Sequence, residues 1–594
     1  MSRSSPTNDG VRAVRTSIKE IRLNRSLILV GVLGSSVFSA AVFGQGKASD
    51  PTAEAQAYIA TLKVGKTDWP MWAGTPHRNN TPPGKNIPID WNVETGKNIL
   101  WRSNLGSQTY GNPVVANGRV YVGTNNGAGW LKRYPQSVDL GCLLCFDEKT
   151  GDFLWQHSSE KLSTGRVHDW PEQGICCAPC VDGDRAWFVS SRGCVICVDV
   201  KGFHDGKNDG PFTKEVNQNK DEADTIWEVD MMADFQVSQH NMCSCSCCCF
   251  GDVLLVISGN GVDEGHRNIP SPQAPSFLAF DRNTGKLLWK DSSPGDNILH
   301  GQWSSTAFGE LGGVPQALFA AGDGWLYSFD VRGEDGKAKL LWKFDCNPKR
   351  SLYVLGGRAT RNHLIGTPTV YDGKVFVAVG EDPEHGEGDG HLWCIDPTKR
   401  GDVSPELVFN KSDPSKPIPH KRLQALIPEE GDFAKPNPNS AVVWHYGAPY
   451  KDDEFGKKKE GEGEGDDKAP EMHRTLGSAS IKNDLLYIVD FSGFVHCLDA
   501  KTGARLWNDD MLSASWGSPL IVEDKVYIGN EDGDIFIYAL SKEKKQIAKI
   551  NVESSVYTSP VVANDTLFIS NRTHLFAIKD GAQTDPAKLK SSRR

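Results

Sequence analysis

Three things are scarce in this chain of 594 residues, and each excludes a class of function. Positive charge is not in excess: 65 Lys and Arg face 75 Asp and Glu, the net charge is −10, and no basic stripe forms. Nucleic acid is therefore excluded as a partner. No Cys-x-x-Cys-His occurs, which excludes covalently attached haem. No cysteine precedes Cys142, so a lipid-modified cysteine at a mature N-terminus is not expected.

What is present is led by one repeated turn. Asp147-x-x-Thr150-Gly151 is followed by Trp155, Asp281-x-x-Thr284-Gly285 by Trp289, and Asp499-x-x-Thr502-Gly503 by Trp507. An apolar run precedes each Asp, and a shorter one carries each Trp. The pattern reads as strand, tight turn, strand, with Asp and Thr bonding the turn and Gly supplying positive φ. The Trp falls on an outer strand, where its ring can dock on the next repeat. Repeats of this size point to radially arranged sheets.

A second landmark marks the inner strands: Asn112-Pro113, Ala178-Pro179, Thr367-Pro368, Ser518-Pro519 and Ser559-Pro560, with weaker copies at Ser246, Thr306 and Ala479. Outer strands carry Trp101, Trp155, Trp227, Trp289, Trp342, Trp444 and Trp507, and an eighth, Gln546-Ile547-Ala548, lacks the Trp. Both counts give eight. Trp101 precedes the first inner strand, and the last inner strand has no outer strand after it. The expected fold is all-β: an eight-bladed propeller of four-stranded blades over residues 68–580, closed by pairing of an N-terminal strand with the last blade. Such a clasp removes open sheet edges.

The flanks are read as follows. Arg3, Arg12, Arg15, Lys19, Arg22 and Arg25 precede an apolar stretch, Ser26 to Gly44. Residues 1–44 are expected to be a signal peptide, with small residues at Ser39-Ala40-Ala41 or Val42-Phe43-Gly44 for cleavage, or an uncleaved anchor that attaches the chain to a membrane. Both readings export the rest to the periplasm or cell envelope. Residues 45–67 are expected to be a linker and 581–594 a tail. Residues 205–224 form a polar insertion, and 451–469 a charged one of low complexity.

Stepping back three residues from each proline-equivalent gives a ring at the propeller axis: Tyr110, Cys176, Cys243, Trp303, Ile365, Leu476, Trp516 and Tyr557. Polar residues precede it: Gln108, His240, Asn241, His300, Gln302, Arg361, Asn362, His363, His473 and Arg474. Loops at the same face carry Asp263, Glu264, His266, Glu384 and His385. Aromatic residues beneath convergent polar groups suit a small flat ligand, or a protein partner, at the funnel face.

Fifteen cysteines is an odd number, so at least one is unpaired. Cys145, Cys197, Cys394 and Cys497 read as core strand residues. Cys177-x2-Cys180 and Cys194-x2-Cys197 have zinc-like spacing, but residues three apart on a strand face opposite sides, so zinc is not expected there.

The Asp-x-x-Thr-Gly turns with their Trp, and the opening Asp68-Trp69-Pro70-Met71-Trp72, resemble the quinoprotein-dehydrogenase-like propellers built of pyrroloquinoline quinone (PQQ) repeats. The resemblance covers nearly the whole exported portion. Its enzyme branch implies an alcohol or sugar dehydrogenase that uses PQQ with Ca²⁺. In that branch a Trp and a vicinal disulfide sandwich the quinone, which would cast Cys176-Cys177 as the disulfide and Trp303 or Trp516 as the opposite face. Its non-enzyme branch, the BamB-like assembly proteins, implies a protein-binding scaffold without a quinone.

Overall fold

Short strands, largely buried end to end except on the outermost strand of each sheet, recur throughout the computed structural model, which describes residues 49–354, 359–380, 388–447 and 472–591. The segment 1–44, the insertion 451–469, Glu384 and His385 lie outside the described residues. Eight sheets make eight blades, seven of them four-stranded. Blade 1 consists of Val114–Ala116, Arg119–Asn125, Leu140–Asp147 and Phe153–Glu160, and blades 2 to 7 follow in chain order from the inner strands Cys180–Asp182, Cys248–Phe250, Thr306–Leu311, Thr369–Tyr371, Ser480–Lys482 and Leu520–Val522. Blade 8 consists of Val561–Ala563, Thr566–Ser570 and His574–Gln583, and its fourth strand is Lys97–Asn104 from the other end of the chain. Trp101 stands opposite Ala577 and Arg102 opposite Phe576, so first and last segments share one sheet as the sequence indicates.

Each outer-strand Trp spans to the following blade. Trp101 Nε1 donates to the Glu148 carbonyl, Trp155 to Val200, Trp289 to Val331 and Trp444 to Ala500. The acceptor is in each case the residue after the turn Asp, or its equivalent. Trp342 reaches across differently: its Nε1 donates to Gln316, whose amide donates on to the Pro397 carbonyl. The turn glycine makes room for the ring. At Gly503 φ is +73°, and an added Cβ would lie 2.6 Å from Trp444. Gly503→Ala is therefore expected to lower stability by about 2 kcal/mol or more, from backbone strain together with overpacking, read as a fall in the urea midpoint at unchanged slope.

The opening segment takes a path that no local pattern announces. Residues 67–81 run across one end of the axis and bond to every blade in turn. Trp69 pairs with Val115 of blade 1, and the Pro70 carbonyl accepts from Val181 of blade 2. Arg78 donates to Ser246 and Cys247 of blade 3 and to Thr306 of blade 4. The carbonyls of Pro76, His77 and Asn80 accept from Phe308, Val370 and Ile521 of blades 4, 5 and 7. Asn79 makes a two-way amide pair with Ile481 of blade 6, and the Thr67 carbonyl accepts from Asn564 of blade 8. This segment closes one end of the channel.

Three features depart from the sequence reading. Within the expected linker, the described residues 49–67 include a helix, Pro51–Ile59, capped by Asp50, and Ala55 and Ile59 are buried beside Trp69 and Trp101. Residues 396–441 form a further insertion, in which Glu406–Asn410 and Asp432–Pro436 make a hairpin and Gly401–Asp402 adds a fifth, parallel strand to blade 4. The inner strand of blade 3 begins at Cys248, one residue later than the Ser246 landmark implies. The run of Cys and Ser there offers no proline to fix the offset.

Candidate functional site

Inner strands begin at the axis, so the residues just before them surround it. Their extended backbone alternates, one side chain facing the axis and the next facing away. The axis-facing residues enclose a cavity of about 390 Å³. Tyr110, Cys176, Trp303, Ile365, Leu476, Trp516 and Tyr557 all line it. In blade 3 the one-residue offset corrects the ring: Cys243 is buried in the core, and its neighbours Met242 and Ser244 face the cavity.

One wall is aromatic. Tyr110 and Tyr557 stack with centroids 4.8 Å apart at 19°, and Trp516 stands edge-on to Tyr557 at 5.2 Å. Burial pushes the Tyr110 hydroxyl up to about 12, so it stays a neutral donor. Trp303 lines the cavity too, held by its Nε1–H to the His240 carbonyl at 3.1 Å. Trp72 of the closing segment and Trp170 complete the rings.

A second tier, two residues further along each strand, is a chain of hydroxyls and amides. The Ala178 amide donates to Ser246 Oγ, and the Ser246 amide to Ser305 Oγ. The amides of Thr367, Ser478 and Ser518 donate to the hydroxyls of Ser478, Ser518 and Ser559. The Ser559 amide donates to Asn112 Oδ1 at 2.6 Å, joining blade 8 to blade 1. The sequence marks this tier by a small residue or Asn immediately before the proline-equivalent. Trp72, Trp170 and Gln173 carry no such mark.

Of the expected polar groups, Asn241 alone reaches this cavity. The rest turn away from it. Gln302 donates to the Asn260 carbonyl and Ser276 Oγ, and Asn362 ties to Asn347 and to the Asp389 carbonyl. Arg361 is fully buried against Asp345, which also binds Lys349 at 2.8 Å. Burial alone would raise the Asp345 carboxyl, but Arg361, Lys349 and His420 outweigh it and bring it down to about 2. His473 and His496 both bond Asp490, at 3.1 and 2.9 Å. Those hydrogen bonds overrule burial and hold the Asp490 carboxyl below its ordinary range. Arg474 lies over Phe491 at 5.0 Å. His240, His300 and His363 gather beside Trp303 instead of lining the well: His300 and His363 lie 5.0 and 5.7 Å from its ring. Arg361 and His473 are thus parts of buried ion-pair networks, and the sequence does not distinguish that role from ligand contact.

The cysteines have separate fates. Cys176 and Cys177 are free thiols and do not form the vicinal bridge the resemblance implied. Cys176 faces the cavity, 3.5 Å from the Met242 sulfur, whereas Cys177 points into the core and donates to the Val189 carbonyl at 3.0 Å. Burial raises the Cys176 thiol to about 12, so it is protonated at neutral pH and a weak nucleophile. The zinc-like quartet is split by strand alternation: Cys177 and Cys194 sit in one core cluster, Cys180 and Cys197 in another.

A PQQ–Ca²⁺ centre does not fit this lining. PQQ carries three carboxylates, and Ca²⁺ takes six to eight oxygen ligands including carboxylates. Among the described residues the cavity is lined by no Asp, Glu, Lys or Arg side chain. Asp263 and Glu264 stand apart from it. Hydrogen bonds from Arg267 and Asn268 outweigh a small burial effect and hold the Asp263 carboxyl below its usual range, and Glu264 pairs with Arg166.

The family model described as outer membrane protein assembly factor BamB matches residues 84–168 and 275–584, well over half of the chain. The BamB of Shewanella oneidensis is 30% identical over 70 residues, which is 12% of this chain and 18% of that protein. The match thus spans less than a fifth of that relative. Among solved structures, BamB from Moraxella catarrhalis shares 13% identity with a TM-score of 0.44, over 81% of this chain and 97% of that one. The quinohemoprotein alcohol dehydrogenase from Comamonas testosteroni shares 12% identity with a TM-score of 0.43, over 90% and 84%. On the family match, and with eight sheets closed by its first strand, the chain belongs to the PQQ-repeat β-propeller family that the BamB model describes.

Proposed function

We propose that this chain is an exported binding propeller whose axial well takes a small uncharged ligand with a flat or ring-shaped apolar face. The observation that carries the reading is the lining itself: aromatic rings and neutral amides and hydroxyls, with no ionised side chain among the described residues. Its volume falls at the lower end of small-molecule sites, about 300–1,000 Å³. Tyr and Trp faces supply area at little entropic cost, and Asn112, Gln173 and Asn241 supply orientation. The same lining supports binding over catalysis, because it holds no group poised for acid–base work at neutral pH. The family's description as an assembly factor supports a binding role as well. Export rests on the basic and then apolar N-terminal segment, and the cell envelope is the compartment it serves. Among the described residues no helix is long and apolar enough to cross a membrane.

The test is a tryptophan-fluorescence titration of the purified chain with neutral planar heterocycles and neutral saccharides. Saturable quenching is expected with one of the two classes. Trp516→Ala is expected to weaken it at least tenfold, about 1.4 kcal/mol, with an unchanged unfolding midpoint. Binding that ignores this substitution, no binding in either class, or retention of anionic PQQ with Ca²⁺ at micromolar concentration would each overturn the reading.

A further inference from the structure

A smaller cavity of about 130 Å³ lies beside the well, and Trp170 and Asn241 belong to the walls of both. His240 and His266 line it, and the His300 ring adjoins theirs. One ligand atom from each of His240, His266 and His300 lies within 4.8 Å of the other two. The ring centroids are 4.5 to 4.8 Å apart. We propose that these three histidines hold one divalent first-row transition cation, of which Zn²⁺ is the representative, with a coordination position open to the smaller cavity.

The backbone around the three rings is built to bring them together. Val262 joins two of them: its carbonyl accepts from His240 Nδ1 at 2.9 Å, and its amide donates to the His300 carbonyl at 3.1 Å. The first bond puts the His240 proton on Nδ1 and presents Nε2, the arrangement that orients a metal-ligating imidazole. Gly261 permits the approach, since a Cβ there would lie 2.6 Å from His240 Cβ and 2.7 Å from the His300 carbonyl oxygen. His266 is carried on a tight loop in the left-handed region, φ +57°. The Asp263 carboxylate fastens that loop by accepting from the amides of Arg267 and Asn268 and from the Asn268 side chain. A non-glycine residue in that region marks a conformation the surroundings impose.

The chemistry of the set selects the ion. Three neutral imidazoles suit Zn²⁺, Ni²⁺, Cu²⁺ or Co²⁺ and not the oxygen-seeking Ca²⁺ or Mg²⁺. Ligands at about 2.0–2.1 Å in a tetrahedron stand about 3.4 Å from one another. The atoms therefore need to close by up to about 1.4 Å, and His266, half-buried on its loop, is the least enclosed of the three rings. Arg166 and Glu264 line the open side and are paired, so the guanidinium charge facing the site is balanced. Trp170 stands between the cation and the well, which couples the two cavities through one shared wall.

The test uses the full chain, stripped with chelator and then titrated with Co²⁺ and Zn²⁺. One equivalent of Co²⁺ is expected to bind, with the intense visible bands of a tetrahedral nitrogen-ligated ion and no thiolate charge-transfer band. Zn²⁺ is expected to displace it and to raise the thermal midpoint. His266→Asn keeps a residue type that tolerates positive φ; it is expected to fold as the parent does without metal and to bind at least tenfold more weakly. His240→Gln is expected to behave likewise. Failure of the parent to take up a stoichiometric ion, uptake equal in both variants, or a thiolate charge-transfer signal pointing to the cysteines would each overturn the proposal.

Discussion

Replacing Arg78 by Ala is expected to destabilise the propeller by at least about 4 kcal/mol, or to leave no folded protein at all. Its guanidinium is buried at the closed end of the axis and donates to four backbone carbonyls. These are Thr306 and Trp72 at 2.7 Å, Cys247 at 2.9 Å and Ser246 at 3.1 Å. A hydrogen bond to a charged group contributes about 1.5–3 kcal/mol, and a buried acceptor left unmade costs a further 1–3 kcal/mol. The substitution strips the donors from four carbonyls together and leaves a cavity besides. Arg78→Lys is expected to recover less than half of the loss, because one ammonium cannot reproduce a planar fork spanning blades 3 and 4. Urea denaturation of the three proteins checks this. A loss below about 1 kcal/mol for the Ala variant would mean that the closing segment contributes little to the ring.

The second large effect is expected at the clasp. A chain stopped after Thr573 lacks the strand His574–Gln583, which lies between Thr566–Ser570 and the N-terminal strand Lys97–Asn104. Its removal strands both neighbours, exposes the core partners of Phe576 and Ile578 on one face and of Leu575 on the other, and leaves Trp101 without its sheet. The ring then opens with two unpaired edges, the condition that closure avoids. We expect aggregation on expression, or a broad, non-cooperative thermal transition where the full chain shows a sharp one. A monodisperse product with the parent's midpoint would show that seven blades hold without the eighth. Both predictions follow from one arrangement. Two remote stretches, the axial segment and the clasp strand, carry contacts whose partners lie hundreds of residues away.

The parts of this arrangement that were legible in the sequence are those with local signatures. The Asp-x-x-Thr-Gly turn with its Trp recurs in full three times, and a Trp alone marks four more outer strands, so the blade number and the clasp can be read off. A proline before a short β-branched strand locates the axis, which is how Tyr110, Trp516 and Tyr557 can be placed around one cavity. Where the proline is replaced by the Cys-Ser run of blade 3, the register slips by one and the wrong cysteine is chosen. The path of residues 67–81 has no periodicity, because each residue answers to a different blade. The direction of polar side chains was illegible for a related reason. Arg361 and Asp345, or His473 and Asp490, are partners separated in sequence, and only the folded chain shows that their charges are already answered. The three-histidine cluster combines both cases, joining His240 and His300 from blade loops to His266 on a turn whose conformation no local pattern foretells.

The most direct test of the account is a crystal structure, at about 2 Å, of the full chain with the neutral ligand that titrates most tightly. Ring-shaped density is expected in the axial well, packed on Trp303 and on the Tyr110–Tyr557–Trp516 wall, with hydrogen bonds to neutral side chains and with Trp72 beneath it. Density for the ligand on the outer rim, with the well holding water alone, would contradict it.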